Sequence, residues 1–116
     1  MGRLTTHVLD TSLGKPAAGL AISLRRAGKH GAPLASGVTN ADGRIAPPLL
    51  EADTMEVGAY ELIFEAGAYF DGLGLKLPSP KFLDQVVIRF GIDDPKAHYH
   101  VPLLLSPFGY STYRGS

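Results

Sequence analysis

Much of the chain alternates between apolar and polar residues, a pattern typical of half-buried β-strands. The alternation is clearest in five stretches, at residues 4–10, 20–28, 59–66, 84–92 and 98–107. Extended segments are also predicted at 35–40 and at the start of 44–50, and residues 109–115 are predicted to pair back on 98–107 as a terminal hairpin. Residues 67–77 lack the alternation, and we expect one short helix there.

Turn-forming residues separate these segments. The chain contains 14 glycines and 9 prolines, and the Asn-Ala-Asp-Gly sequence at 40–43 is a strong turn signal because its residues tolerate the required backbone angles. Seven or eight short strands joined by turns indicate an all-β fold, an antiparallel sandwich with one short helix. The length of 116 residues fits a single domain spanning 1–116.

Composition narrows the class of protein. The 11 basic residues balance the 11 acidic ones and form no basic tract, so nucleic-acid binding has no electrostatic support. The absence of cysteine excludes a disulfide framework and thiolate chemistry. No apolar stretch is long enough to cross a membrane, and the first residues contain no apolar leader. We expect a cytoplasmic protein, with the periplasm open if a signal peptide has been removed.

Strand alternation leaves unusual side chains on the faces that point away from the core. In 98–105 the face predicted to be buried carries Tyr99, Val101, Leu103 and Leu105. The opposite face carries His98, His100, Pro102 and Leu104. The first strand places Thr5, His7 and Leu9 on one face, and the last one places Ser111, Tyr113 and Gly115 together. Three strands could therefore present polar, titratable groups away from the core.

The residues alone leave several interpretations open. A histidine on an outward strand face is most often simply solvated, and His30 in its glycine-rich loop has no assigned role. The pair His98 and His100 could also ligate zinc if a third ligand came from elsewhere, although the nearest carboxylates, Asp93 and Asp94, lie across a turn. The chain has no nucleophile elbow, phosphate loop or dinucleotide fingerprint.

Two terminal stretches carry a more specific signal. The sequences LTTHVLDTSLGKPAAG at 4–19 and HYHVPLLLSPFGYSTYRGS at 98–116 resemble the signature stretches of the transthyretin-like family. The final YRGS resembles the enzymatic branch of that family, the 5-hydroxyisourate hydrolases. The segments at 39–45, 60–70 and 86–100 are similar to the family pattern as well, so the resemblance covers the whole chain. The stretch LLLSPFGYST is shared with transthyretin itself and indicates the fold rather than the activity.

The resemblance implies a fold, an assembly and a reaction. It implies an eight-stranded sandwich with one short helix, assembled as a homotetramer with its sites in a channel at the dimer–dimer interface. The implied reaction is hydrolysis of 5-hydroxyisourate to 2-oxo-4-hydroxy-4-carboxy-5-ureidoimidazoline in urate degradation. General-base activation of water would open the ring, with no metal or other cofactor. The alternative is a non-enzymatic, transthyretin-like protein that binds a small ligand in the same channel.

The resemblance also assigns roles to individual residues. It implies catalytic roles for His7, Arg44, His100 and Ser116 and substrate-binding roles for His98, Tyr113, Arg114 and Gly115. His100 or His7 is the expected base, and Arg44 is expected to stabilise the developing oxyanion. A carrier of an aromatic ligand would favour an apolar channel, whereas these side chains make the channel polar.

Overall fold

The computed structural model describes residues 2–116 and consists of two β-sheets packed face to face, with one α-helix. Its strands are β1 (Arg3–Asp10), β2 (Lys15–Pro16), β3 (Ala21–Arg26), β4 (Ala35–Val38), β5 (Leu50–Glu51), β6 (Gly58–Glu65), β7 (Gln85–Ile92), β8 (His98–Ser106) and β9 (Gly109–Thr112). Helix α1 (Ala66–Gly72) follows β6 directly, and one 3₁₀ turn covers Ala52–Thr54.

The strand order brings the two ends of the chain together. One sheet has the order β2-β1-β8-β9, with β5 also pairing with β1, and the other has the order β4-β3-β6-β7. Within residues 2–116, β1 and β8 are the one parallel pair among these strands, and the other pairs are antiparallel. The parallel register sets Thr5 beside His100 and His7 beside Pro102.

The predicted fold class is confirmed, with differences in detail. The described residues form nine strands rather than seven or eight, because β2 and β5 are two-residue pairings against β1 that alternation cannot reveal. The helix ends at Gly72 rather than near residue 77, and Gly74 then adopts a positive φ of 79° that leads the chain away from helical geometry. The start of 44–50, predicted to be extended, forms only an isolated bridge from Arg44 to His7, and the segment's last residue begins β5.

The core lies between the inner faces of the two sheets, as the alternation predicts. The fully buried side chains with the largest volumes include Leu4, Val8, Leu103 and Leu105 from one sheet and Ile22, Leu24, Tyr60, Leu62 and Phe64 from the other. Burial of this apolar surface is the main source of stability. It also fixes which face of β1 and β8 remains available, because a one-residue slip would expose the whole apolar set.

A buried carboxylate fastens helix α1 to the end of β1. Asp10 is fully buried, and its Oδ1 accepts hydrogen bonds from the backbone N–H of Ser12 at 2.9 Å and from the Ser12 hydroxyl at 2.5 Å. Its Oδ2 accepts a hydrogen bond from the Tyr69 hydroxyl at 2.7 Å. Burial, together with this bond, raises the pKa of Tyr69. These bonds give both oxygens of the buried carboxyl a hydrogen-bond partner and hold the end of β1 in place.

One prediction for the outward face of β8 is wrong in part. His98 is exposed and His100 is half-buried, but Pro102 is buried. Pro102 lies in a central strand between β1 and β9, where neighbouring strands cover a compact ring from both sides. It has no N–H to donate, and its carbonyl accepts a hydrogen bond from the Thr112 hydroxyl at 2.7 Å. The polar part of this face is thereby confined to the beginning of β8.

Candidate active site

A polar cleft lies on the outer face of the five-stranded sheet, where the first residues of β1 and β8 run side by side. It has a volume of about 320 Å³. Its lining consists of Arg3, Thr5, Arg44, His98, Tyr99, His100 and Ser116. Cationic, imidazole and hydroxyl groups therefore converge on a small volume that is open to solvent.

The turn at residues 40–43 positions Arg44 at this cleft. The Asn40 side-chain oxygen accepts hydrogen bonds from the backbone N–H groups of Asp42 at 2.9 Å and Arg44 at 3.2 Å. Gly43 adopts a φ of 75°, and its carbonyl accepts a hydrogen bond from the Val8 N–H at 2.9 Å. A Cβ at position 43 would collide with the Val8 carbonyl oxygen, so only glycine permits this close approach. Arg44 then pairs with His7 in an antiparallel bridge.

The His100 imidazole is held between β1 and the chain's last residues. Its Nδ1 is 2.8 Å from the Thr5 hydroxyl oxygen. On the other side, the Gly115 N–H donates to the His100 carbonyl at 2.7 Å. A Cβ at position 115 would lie 2.6 Å from the ring's Cδ2, so glycine is needed for the tail to pass this closely. Thr5 and Gly115 thus restrict the ring on two sides, and His100 is among the residues that line the cleft.

The surroundings of His100 keep its imidazole neutral. Burial lowers the pKa of His100, and the nearby charges of Arg44 and His7 lower it further. Each of these causes opposes the addition of a proton to the ring. At neutral pH the ring therefore has a free lone pair, which a general base requires.

The Arg114 side chain is held on the opposite side of the sheet. Its guanidinium carbon lies 4.2 Å from the centroid of the buried Tyr99 ring, and its Nη2 donates to the His98 carbonyl at 3.1 Å. The Tyr99 hydroxyl in turn donates to Asp93 Oδ1 at 2.6 Å, and this bond lowers the pKa of Asp93. Arg114 thus anchors the tail that carries Gly115.

The predicted site residues fall into three groups. Four of them, Arg44, His98, His100 and Ser116, line the cleft. Two flank it, since His7 pairs with Arg44 and Gly115 packs against the His100 ring.

The third group of predicted site residues, Tyr113 and Arg114, lines a different cavity of about 300 Å³ at the edge of the sandwich beside β7. His30 is exposed in its loop and is not a lining residue of the cleft.

Three lining residues were not among the predicted site residues. Arg3 and Thr5 lie on the same face of β1 as His7, so strand alternation could have indicated them. Their proximity to His98 and His100 depends on the parallel pairing of β1 with β8, for which the sequence carries no signal. Tyr99 belongs to the core face and reaches the cleft wall only at the edge of the sheet.

Among residues 2–116, no group of three or more histidine, cysteine or acidic side chains has an arrangement that could hold a metal ion. In the same part of the chain, no helix has the length and apolar character needed to cross a membrane.

Comparison with known proteins gives close relatives over the full length. The chain is 60% identical over 116 residues to 5-hydroxyisourate hydrolase 2 of Rhizobium meliloti (strain 1021), covering 99% of this chain and 97% of that one. Its structure matches Klebsiella pneumoniae 5-hydroxyisourate hydrolase with a TM-score of 0.83 and 42% identity, covering 100% of both chains.

Two other solved structures share the fold. An (S)-allantoin synthase matches with a TM-score of 0.91 and 46% identity, and this chain spans only 44% of that longer chain. Sea bream transthyretin in complex with thyroxine matches with a TM-score of 0.83 and 30% identity, over 97% of this chain and 94% of that one. The model of the HIUase/Transthyretin family matches residues 4–115. The chain belongs to the HIUase/Transthyretin family.

Proposed function

We propose that this protein is a hydrolase that opens the six-membered ring of 5-hydroxyisourate to give 2-oxo-4-hydroxy-4-carboxy-5-ureidoimidazoline, a step of urate degradation. The observation that most supports the proposal is that the His100 imidazole is kept neutral in a cleft that Arg44 also lines. A base beside a fixed cation is the arrangement that hydrolysis of a cyclic amide needs. The relatives named 5-hydroxyisourate hydrolase support the same substrate.

The proposed reaction uses His100 as the base. Its Nε2 takes a proton from water while the water oxygen bonds to the ring carbonyl carbon. The carbonyl oxygen becomes an oxyanion, which the Arg44 guanidinium stabilises through charge-assisted hydrogen bonds. When the oxyanion collapses, the bond from that carbon to the ring nitrogen breaks, and the imidazolium returns the proton to the leaving nitrogen. The single product carries both a new carboxylic acid and a ureido group, and the enzyme is regenerated.

The other site residues hold the substrate in position. His7, beside Arg44, orients the water or the substrate, and His98 and Ser116 bind the substrate's polar edge at the rim. Tyr113, Arg114 and Gly115 complete the site through the tail. In a single protomer, the Arg114 side chain contacts the Tyr99 ring and the His98 carbonyl and is not itself a lining residue of the cleft. Its proposed contribution is therefore to hold Gly115 against the base.

We further propose that the active form is a homotetramer with its sites at the dimer–dimer interface. Strands β7 and β9 are edge strands and leave backbone groups free for pairing with another chain. Near β9, large side chains remain exposed, among them Phe108 at 60%, Tyr110 at 46% and Tyr113 at 61%. A second subunit over the outer face of β1 and β8 would close the open cleft and exclude water from it.

We expect the protein to act in the cytoplasm and to need neither nucleic acid nor a membrane as a partner. The balance of 11 basic and 11 acidic residues supports the expectation that nucleic acid is not a partner. The reaction as proposed uses no cofactor.

A carrier function is the alternative, and it is less well supported. The chain is 30% identical to the thyroxine-bound transthyretin but 60% identical to the hydrolase of Rhizobium meliloti. Arginine and histidine side chains in the cleft also disfavour an apolar hormone.

The test is a spectroscopic assay of 5-hydroxyisourate freshly generated from urate. We expect the ultraviolet signal of this intermediate to decay much faster with the protein than without it, and a metal chelator to leave the rate unchanged. Decay at the spontaneous rate would overturn the proposal. Loss of activity with the chelator, restored by zinc, would replace it with a metal mechanism at His98 and His100.

A further inference from the structure

Thr5 has an unusual position among the threonines of this chain. The other five each donate their hydroxyl to a backbone carbonyl: Thr6 to Val101, Thr11 to Leu105, Thr39 to Ala17, Thr54 to Glu51 and Thr112 to Pro102. Thr5 instead places its hydroxyl oxygen 2.8 Å from Nδ1 of His100. Within residues 2–116, this is the one hydrogen bond that its side chain makes. Its hydroxyl is thus committed to the candidate base.

The parallel pairing of β1 and β8 makes this contact specific. Thr5 and His100 are directly opposite each other in the ladder, and alternation turns both side chains to the cleft face. Both strands are held by long ladders and by a packed core, which fixes the backbone positions that bring the hydroxyl to the ring. The backbone at Gly115 restricts the position of the His100 ring on its other side. The imidazole is therefore restricted on two sides, with Nδ1 toward Thr5 and Cδ2 toward Gly115, and we infer that Nε2 faces the cleft that His100 lines.

A neutral imidazole carries its single proton on only one nitrogen, and the partner of the other nitrogen decides which one. If the proton is on Nδ1, this nitrogen donates to the Thr5 oxygen, and Nε2 has a lone pair facing the cleft. If the proton is on Nε2, the Thr5 hydroxyl donates to Nδ1, and the ring cannot accept a proton from a water in the cleft. Free histidine favours the Nε2-protonated form, so the base needs an acceptor at Nδ1.

We propose that Thr5 is a positioning residue, whose hydroxyl oxygen accepts a hydrogen bond from Nδ1–H of His100 and thereby keeps the Nε2 lone pair directed into the cleft. The inference rests on the proposed function, since it assigns to Thr5 the support of that reaction's base. The same bond persists when Nε2 gains a proton, because Nδ1 still carries its hydrogen. Proton transfer therefore requires no rearrangement on this side of the ring.

The test compares Thr5→Val, Thr5→Ser and the unchanged protein. Valine keeps the shape of threonine but removes the hydroxyl, whereas serine keeps the hydroxyl. Thr11→Val is the matched control. It also removes a threonine hydroxyl beside β1, and the Leu105 carbonyl it contacts retains the Thr11 N–H at 2.9 Å.

The first readout is the tautomer of His100, from the ¹⁵N chemical shifts of its ring nitrogens above its pKa. We expect the hydrogen on Nδ1 in the unchanged protein, the Thr5→Ser variant and the Thr11→Val control. We expect it to move to Nε2 in the Thr5→Val variant. A hydrogen on Nε2 in the unchanged protein would overturn the proposal, as would an unchanged tautomer in Thr5→Val.

The second readout is steady-state kinetics. In Thr5→Val the base must first change its tautomer or orientation. We therefore expect kcat of this variant to fall by about 10-fold to 100-fold, with little change in KM. Thr5→Ser should restore kcat, and Thr11→Val should keep it. An equal kcat for Thr5→Val would contradict the role of Thr5. An unchanged protein that does not hydrolyse 5-hydroxyisourate would instead contradict the proposed function, and the ring shifts would still decide the hydrogen bond.

Discussion

At the scale of single residues, the chemistry depends on one imidazole and the groups that surround it. His100 has Thr5 on one side and Gly115 on the other, and burial with the charges of Arg44 and His7 lowers its pKa. A lowered pKa keeps the base unprotonated at neutral pH, and protonation below that pKa removes the base. The rate of ring opening should therefore fall as pH falls, with its midpoint below the ordinary histidine value of 6.5.

Substitution of Arg44 tests the electrostatic part of this account. In Arg44→Gln the cation that lowers the pKa of His100 is absent, so the acid limb of the kcat/KM profile should move to higher pH. The rate on the plateau should also fall, because the oxyanion loses its partner. Arg44→Lys is the control: it keeps the charge, so the limb should stay in place even though lysine lacks the forked donor geometry. The measurement is the pH profile of kcat/KM for all three proteins. An acid limb at the same pH in Arg44→Gln would contradict the proposed effect of Arg44 on the pKa of His100.

At the scale of elements, the parallel pairing of β1 with β8 and the close approach of the tail build the site. The pairing brings Thr5 to His100, and Gly115 opposite His100 continues the antiparallel register that begins with β8 and β9. Strand alternation in the sequence correctly predicted that His98 and His100 leave the core, although Pro102 on the same face is buried. It could not indicate which strands lie next to each other, because pairing over 95 residues of separation leaves no local pattern.

Gly115 gives a test of the tail that does not require deleting it. In Gly115→Ala, the added Cβ would lie 2.6 Å from Cδ2 of His100, so the ring or the tail must move. We expect kcat to fall by up to about 100-fold, because a displacement of roughly 1 Å in a catalytic group has an effect of that order. The melting temperature should change little, since the tail lies outside the core.

The control for this test is Gly109→Ala. There the new Cβ would have its nearest neighbour at 3.8 Å, and activity should persist. Full activity in Gly115→Ala would exclude the tail from the site.

At the scale of the whole molecule, the sandwich presents a site on an open face. The sequence pattern predicted the all-β class and the single helix, because alternation and turn residues are local properties. The two-residue strands β2 and β5 were missed because they exist only through pairing with β1. Burial of Pro102 was missed for a similar reason, since its cover comes from neighbouring strands. The chemistry of His7, Arg44 and the tail came from the family resemblance.

The proposed assembly predicts a dependence of activity on concentration. If subunits close the cleft, dilution below the dissociation constant should lower the specific activity together with the sedimentation coefficient. Analytical ultracentrifugation and the 5-hydroxyisourate assay on the same dilution series measure both. We expect four subunits per particle at concentrations that give full activity. A fully active monomer would contradict the proposed location of the site between subunits.

The most direct test of the central claim is the rate of 5-hydroxyisourate decay with His100→Ala, measured beside the unchanged protein and His30→Ala. His30 is an exposed histidine in a loop, so its substitution controls for the loss of an imidazole alone. We expect His100→Ala to keep its fold and to lose about 10²-fold to 10⁴-fold in kcat, the usual contribution of a general base, whereas His30→Ala should keep the parental rate. A folded His100→Ala protein that opens the ring at the parental rate would contradict this expectation.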